Sequence, residues 1–180
     1  MALGATIYTF DIDLADADRG VYESLNLRVA QHPSETPDYL LARVLAYCLE
    51  FAEGISFSKG LSDPDEPAIC VRDLTGVLTA WVDIGLPEPE RLHRASKAAP
   101  RVAVYTHKDP AQWAVRVREA KIHRAEKLEA FAFDRAWLGG LVARLERRMK
   151  FSLARSEAEI YLGLGDETLQ TVLVRPLAGV

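Results

Sequence analysis

The stretch AICVRDLTGVLTAWVDIGLPEPERLHRASKAAPRVAVYTH runs from Ala68 to His107. It opens with two short apolar runs, AICVRD and VLTAWVDIG, joined through LTG, which is the pattern of two strands in a hairpin. LPEPERLHRASKAA follows as a helix. Prolines stand at its entrance, where a missing N–H removes no helical hydrogen bond, and Leu92, Ala95 and Ala99 recur at helical spacing. RVAVYTH is then a continuous apolar run with a helix expected on each side, which reads as a strand covered on both faces. Hairpin, helix and buried strand in this order imply a mixed sheet packed against helices.

Upstream, HPSETPDYLLARVLAYCLEFAEG has the clearest helical pattern. Ser34 or Thr36 can cap it, Pro37 and Asp38 suit its first turn, and Gly54 suits its end. Leu40, Leu41, Val44, Leu45, Cys48 and Phe51 form its apolar stripe. ISFSKG is a short strand or loop. Nearer the N-terminus, TIYTFDIDLA and VYESLNLRVA alternate with period two around DADRG, predicting a hairpin with Tyr8, Phe10, Ile12 and Leu14 on one face of its first strand and Leu25, Leu27 and Val29 inward on its second. Downstream, DPAQWAVRVREAKIHRA and RAWLGGLVARLERR read as helices, the second weakened by Gly139 and Gly140, with the strand KLEAFAFD between them. KFSLAR, EAEIYLGL and TLQTVLVRPL close the chain as three strands. The expectation is one α/β domain over 1–180, α+β in its mixture, with one mixed sheet, flanking helices and extra antiparallel strands from both ends.

The 180 residues suffice for a single core, and no run of 18 apolar residues predicts a membrane span. The first ten residues lack the basic flank and cleavage site of a leader. Cys48 and Cys70 lie in apolar segments, which fits reduced, buried thiols in a cytoplasmic protein. Charge is segregated: residues 1–90 hold 5 Lys/Arg against 16 Asp/Glu, and residues 91–150 hold 15 against 6. An acidic half followed by a basic segment suits an acidic site beside a surface for a polyanion such as nucleic acid. The same charges also suit solvated helix faces.

Acidic residues crowd SDPDEP at 62–67, just before the hairpin. If the strands pair around DLTG, Glu66 and Asp83 reach the same end of the sheet, Asp83 sharing a face with Trp81. Two convergent carboxylates, with Asp65 in support, would hold Mg²⁺ or Mn²⁺ through oxygen ligands. The competing reading is a solvated turn, since Ser, Asp and Pro favour turns. The four histidines are scattered, and only His107 falls near the proposed site.

The phrases HPSET, KGLSDPDEP, LTAWVDIGLP and RVAVYTH resemble the YaeQ family over nearly the whole chain. The resemblance implies a fold related to the PD-(D/E)xK nucleases, restriction-endonuclease-like, with a core of helix, β-meander, helix and strand over Pro37–Thr106. Carried over by position, Glu66 or Asp65 stands for the first acid and Asp83 for the second. Gly85 stands where that pattern has its lysine, so Arg94 and Lys97 from the following helix are the candidates to replace it, Lys97 being the better base. Glu35, Lys59 and Arg43 are lesser candidates. Two functions follow as expectations. One is a Mg/Mn-dependent phosphodiesterase that holds nucleic acid on the basic 91–150 segment. The other is a nuclease-like module without turnover that binds nucleic acid or a protein, including a transcription-associated regulator.

Overall fold

The structure, a computed structural model, describes residues 4–58, 63 and 65–178. In chain order the elements begin with β1 (Thr6–Asp16), β2 (Val21–Gln31), α1 (Pro37–Leu49), β3 (Ile55–Phe57), β4 (Ile69–Arg72) and β5 (Leu78–Ile84). Then come α2 (Pro89–Ala98), β6 (Arg101–Thr106), α3 (Ala111–Glu119), β7 (Glu129–Ala132) and α4 (Arg135–Val142). The chain closes with β8 (Arg148–Ser156), β9 (Glu159–Leu164) and β10 (Glu167–Val172). Two compact units result, one from 1–41 with 134–173 and one from 42–133 with 174–180. Among the described residues no helix is long and apolar enough to cross a membrane.

The first unit holds a five-stranded sheet in the order β10-β9-β8-β1-β2. β1 pairs antiparallel with β2, Phe10 opposite Leu27, and parallel with β8, Phe10 opposite Met149. Phe10, Ile12, Leu14, Leu27, Val29, Met149, Phe151 and Leu153 are buried, as period two requires. The terminal strands therefore do not extend the central sheet, as the sequence had suggested. They build their own, and β1 meets β8 in parallel rather than antiparallel pairing.

The second unit holds the sheet β3-β4-β5-β6-β7. β3, β4 and β5 form an antiparallel meander, while β5-β6 and β6-β7 are parallel, with α2 and α3 in the two crossovers. Trp81, Val102 and Val104 pack with Leu92 and Ala95 of α2 and with Trp113, Ala114 and Val117 of α3 in one buried cluster. Val102 to Thr106 are all buried, as a strand covered on both faces should be.

Of the two caps that the sequence offers for α1, Thr36 is the one used: its Oγ1 accepts from the Tyr39 N–H at 3.2 Å. Three local features differ from the sequence expectation. Gly54 does not end that helix, which stops at Leu49. It turns the chain into β3 at φ +87°, where an added Cβ would stand 1.9 Å from the Arg72 carbonyl oxygen. α3 ends at Glu119 rather than running through His123. Trp113 and Ile122 are both buried, yet nine residues of helix would place them on opposite sides, so the helix must break for Ile122 to enter the core. α4 likewise ends at Val142, and Arg148 is already a strand residue opposite Thr9.

Candidate functional site

β5 ends where the acidic turn begins. Ile69 lies opposite Val82 in the β4-β5 pair, which brings Glu66 and Asp83 to the same end of the meander. Asp83 is 3% exposed. A carboxylate so buried needs a partner, and Arg91 in the first turn of α2 supplies it. Arg91 Nε donates to Asp83 Oδ2 at 2.7 Å and Nη2 donates to Oδ1 at 3.0 Å, a two-point pair matched to the guanidinium fork. The same guanidinium donates from Nη1 to the Asp63 carbonyl at 3.0 Å and from Nη2 to the Glu66 carbonyl at 2.6 Å. It lies over the Trp81 ring, 5.3 Å from the centroid. Trp81 Nε1 is buried and has no hydrogen-bond partner among the described residues.

The acidic turn is organised by its own polar groups. Asp63 Oδ1 accepts from the Asp65 N–H at 2.9 Å, and the Asp63 carbonyl accepts from the Glu66 N–H at 3.3 Å. Asp65 and Glu66 are exposed. Glu66 therefore meets Asp83 through its main-chain carbonyl and one shared arginine. Both oxygens of Asp83 are engaged by that arginine, and among the described residues no group of three or more His, Cys, Asp or Glu is placed to hold a metal.

Gly85 sits two residues beyond Asp83 at φ +97°, its N–H donating to the Tyr105 carbonyl at 2.9 Å. A Cβ there would have open space. The backbone conformation, not crowding, disfavours a lysine at this place.

Arg94 and Lys97 are exposed on α2, whereas Arg91, which the sequence reading passed over, is the residue at Asp83. A signal for this was present. At about 100° per residue, Arg91 lies about 40° from Ala95 on the edge of the buried stripe, while Arg94 and Lys97 lie about 160° and 140° from Leu92. Glu35 holds the turn before α1, its Oε1 accepting from the His32 N–H at 3.3 Å. Arg43 is buried with its guanidinium over Phe57, 5.4 Å from the ring centroid. Lys59 lies outside the described residues.

A second polar cluster was not legible in the sequence. Glu50, 7% exposed at the end of α1, accepts from Tyr105 Oη at 2.7 Å and from Arg101 Nη2 at 2.6 Å. Arg101 also pairs with Glu129, which Arg175 reaches at 3.5 Å. Arg101, Lys127, Glu129 and Arg175 line an open cleft of about 480 Å³. Elsewhere, Thr75 Oγ1 and then the Val77 N–H hold the exposed Asp73 carboxyl below its ordinary pKa, and burial pushes the Cys48 thiol up to about 12.

Residues 1–173 match the family model described as YaeQ protein. The chain belongs to the YaeQ family. The YaeQ proteins of Escherichia coli (strain K12) and Salmonella typhi are each 30% identical to it over 174 residues, 96% of either chain. The crystal structure of YaeQ protein from Pseudomonas syringae superposes with a TM-score of 0.86 at 29% identity, covering 98% of this chain and 97% of that one. YaeQ protein from Xanthomonas axonopodis pv. citri gives 0.87 at 29% identity, covering 95% and 97%. Family membership is thus settled over almost the full length, and the mixed α/β fold with two five-stranded sheets has solved relatives.

Proposed function

We propose that this YaeQ-family chain is a nuclease-like module that binds nucleic acid without cutting it. Three features support the nuclease-like part. The order α1, β3-β4-β5 meander, α2, β6 follows the core that the PD-(D/E)xK resemblance implies. The resemblance gives Asp83 the place of the second motif acid. The acidic turn lies at the same end of the meander. The non-cleaving part rests on one observation: the Arg91 guanidinium grips both oxygens of Asp83 and the carbonyls of Asp63 and Glu66. A protein cation thus neutralises the acid that a metal-dependent enzyme would keep for its ion. Gly85 adds that no lysine follows to activate water.

Within this reading Arg91 is a clip. It satisfies a buried carboxylate and fastens the acidic turn to the sheet, and the basic residues of 91–150 supply attraction for phosphates. The other reading, a Mg/Mn-dependent phosphodiesterase, draws on the convergence of Glu66 and Asp83 around one cation, and requires Arg91 to withdraw. Incubation of the purified protein with Mn²⁺ and single- and double-stranded DNA and RNA separates the two. The expected result is no cleavage above that of a mock preparation. Mn²⁺-dependent cleavage by the wild type, lost in both Asp83→Ala and Glu66→Ala, would overturn the proposal.

A further inference from the structure

Five exposed cations of the second unit fall on two stretches of chain. Arg94 and Lys97 occupy the outer side of α2, and Lys121, Arg124 and Lys127 lie between α3 and β7. All five are exposed, and among the described residues none is in an ion pair. Arg91, Arg101, Arg116 and Arg175 of the same unit are each bound to an acid.

Two hydrogen bonds join the stretches. Ser96 Oγ donates to the His123 carbonyl, and the His123 N–H donates to His93 Nδ1 at 3.0 Å. His93 and Ser96 alternate with Arg94 and Lys97 along α2, and His123 stands between Lys121 and Arg124. The bonds therefore hold the two cation-bearing stretches side by side as one ridge, with the buried Ile122 anchoring the loop beneath. Arg124 is held at φ 52°, ψ 41°, a left-handed conformation that glycine adopts with less strain. A long cationic side chain is thus presented from a backbone position that disfavours it. The acids within these stretches, Glu90 and Glu126, are fewer than the cations.

We infer that this ridge is the contact surface for the phosphodiester backbone of nucleic acid, an inference that rests on the nucleic-acid-binding reading above. A protein interface needs an apolar core, and the exposed large hydrophobic side chains of the described chain (Tyr22, Leu74, Val77, Val115, Val172 and Val174) all lie outside these stretches. The ridge offers separated, unpaired point charges and guanidinium forks, which suit phosphate oxygens and read no base sequence.

The test is oligonucleotide binding by anisotropy as a function of salt. Each phosphate contact on duplex DNA contributes about −0.9 to the slope of log K against log salt. Five contacts set a ceiling near about −4.5, or roughly 500-fold between 50 and 200 mM. The triple substitution Lys97→Gln, Lys121→Gln, Arg124→Gln should flatten the slope by about 2.7. Arg135→Gln, Arg148→Gln, Lys150→Gln removes the same charge from the same basic sequence segment, but in the first unit, and should leave the slope near that of the wild type. Arg124→Gly guards against misfolding, because it removes the charge while relaxing the backbone. It should flatten the slope by about 0.9 with no fall in melting temperature. Equal loss in both triple variants, no oligonucleotide binding by the wild type, or displacement by polyglutamate as effective as by unlabelled duplex would each overturn the ridge. Cleavage in the Mn²⁺ assay would overturn the non-cutting reading and leave the ridge standing.

Discussion

Replacement of Arg91 by methionine tests the central contact. It removes the guanidinium from a carboxylate 3% exposed while keeping an unbranched apolar stem beside Trp81. Breaking a buried ion pair from one side costs about 3–5 kcal/mol. The Arg91 side chain is 22% exposed and the turn it fastens is at the surface, so water can replace part of what is lost. The expected cost is therefore at the low end, about 3 kcal/mol, or roughly 6–12 °C in melting temperature for a chain of this length. Asp83→Asn leaves Arg91 with both carbonyls and access to water, and should cost about 1–2 kcal/mol. Because each single variant strands the other's partner, the double variant should be milder than the two costs added, with a coupling energy of about 2 kcal/mol. Removal of Arg91 also leaves the Asp83 carboxylate and the Asp63 and Glu66 carbonyls facing one vacated position. Mn²⁺ at about ten times its Kd should then stabilise Arg91→Met by about 1.4 kcal/mol and leave the wild type unchanged at equal ionic strength. Urea unfolding followed by tryptophan fluorescence measures both effects. A loss below about 1 kcal/mol, or equal Mn²⁺ stabilisation of the wild type, would refute the claim that Arg91 holds the cation's place.

Two further predictions concern buried groups. Tyr105→Phe removes the 2.7 Å bond to the Glu50 carboxylate and should cost about 1.5–2 kcal/mol. Glu50→Ala takes the acceptor from both Tyr105 Oη and Arg101 Nη2, although Arg101 keeps Glu129, and should cost about 2–3 kcal/mol; equal urea midpoints for the two variants and the wild type would sink this account. The Cys48 thiol is raised from 9.0 to about 12 by burial. The folded chain keeps that proton over a range where the unfolded chain loses it, so its contribution is complete below pH 9.0 and declines between 9.0 and 12. The decline is at most about 1.4 kcal/mol per pH unit. Cys48→Ala should therefore lose less stability than the wild type between pH 8 and pH 10, and parallel losses would contradict the burial argument.

What the sequence by itself determined was the character of each segment. Alternation in TFDIDL made a half-buried strand, the unbroken run VAVYT made a strand covered on both faces, and Pro89 with Leu92, Ala95 and Ala99 made an amphipathic helix. Those signals are local, because side chains two or four residues apart on one element answer to the same surface. The phrases that resemble the YaeQ family were legible for the same reason, and they fixed the family. Only the tertiary structure decided the partners. A strand edge carries the same N–H and C=O pattern for any neighbour, so nothing local announced that β1 would pair in parallel with β8, Thr9 opposite Arg148, and split the strands into two sheets. Helical spacing set Arg91, rather than Arg94 or Lys97, beside the buried stripe of α2, but only the fold decided that this edge meets Asp83 and that one guanidinium takes both its oxygens. The bonds that link His123 with His93 and Ser96 join residues 30 and 27 positions apart, and the distance along a chain between such residues says nothing about their separation in space.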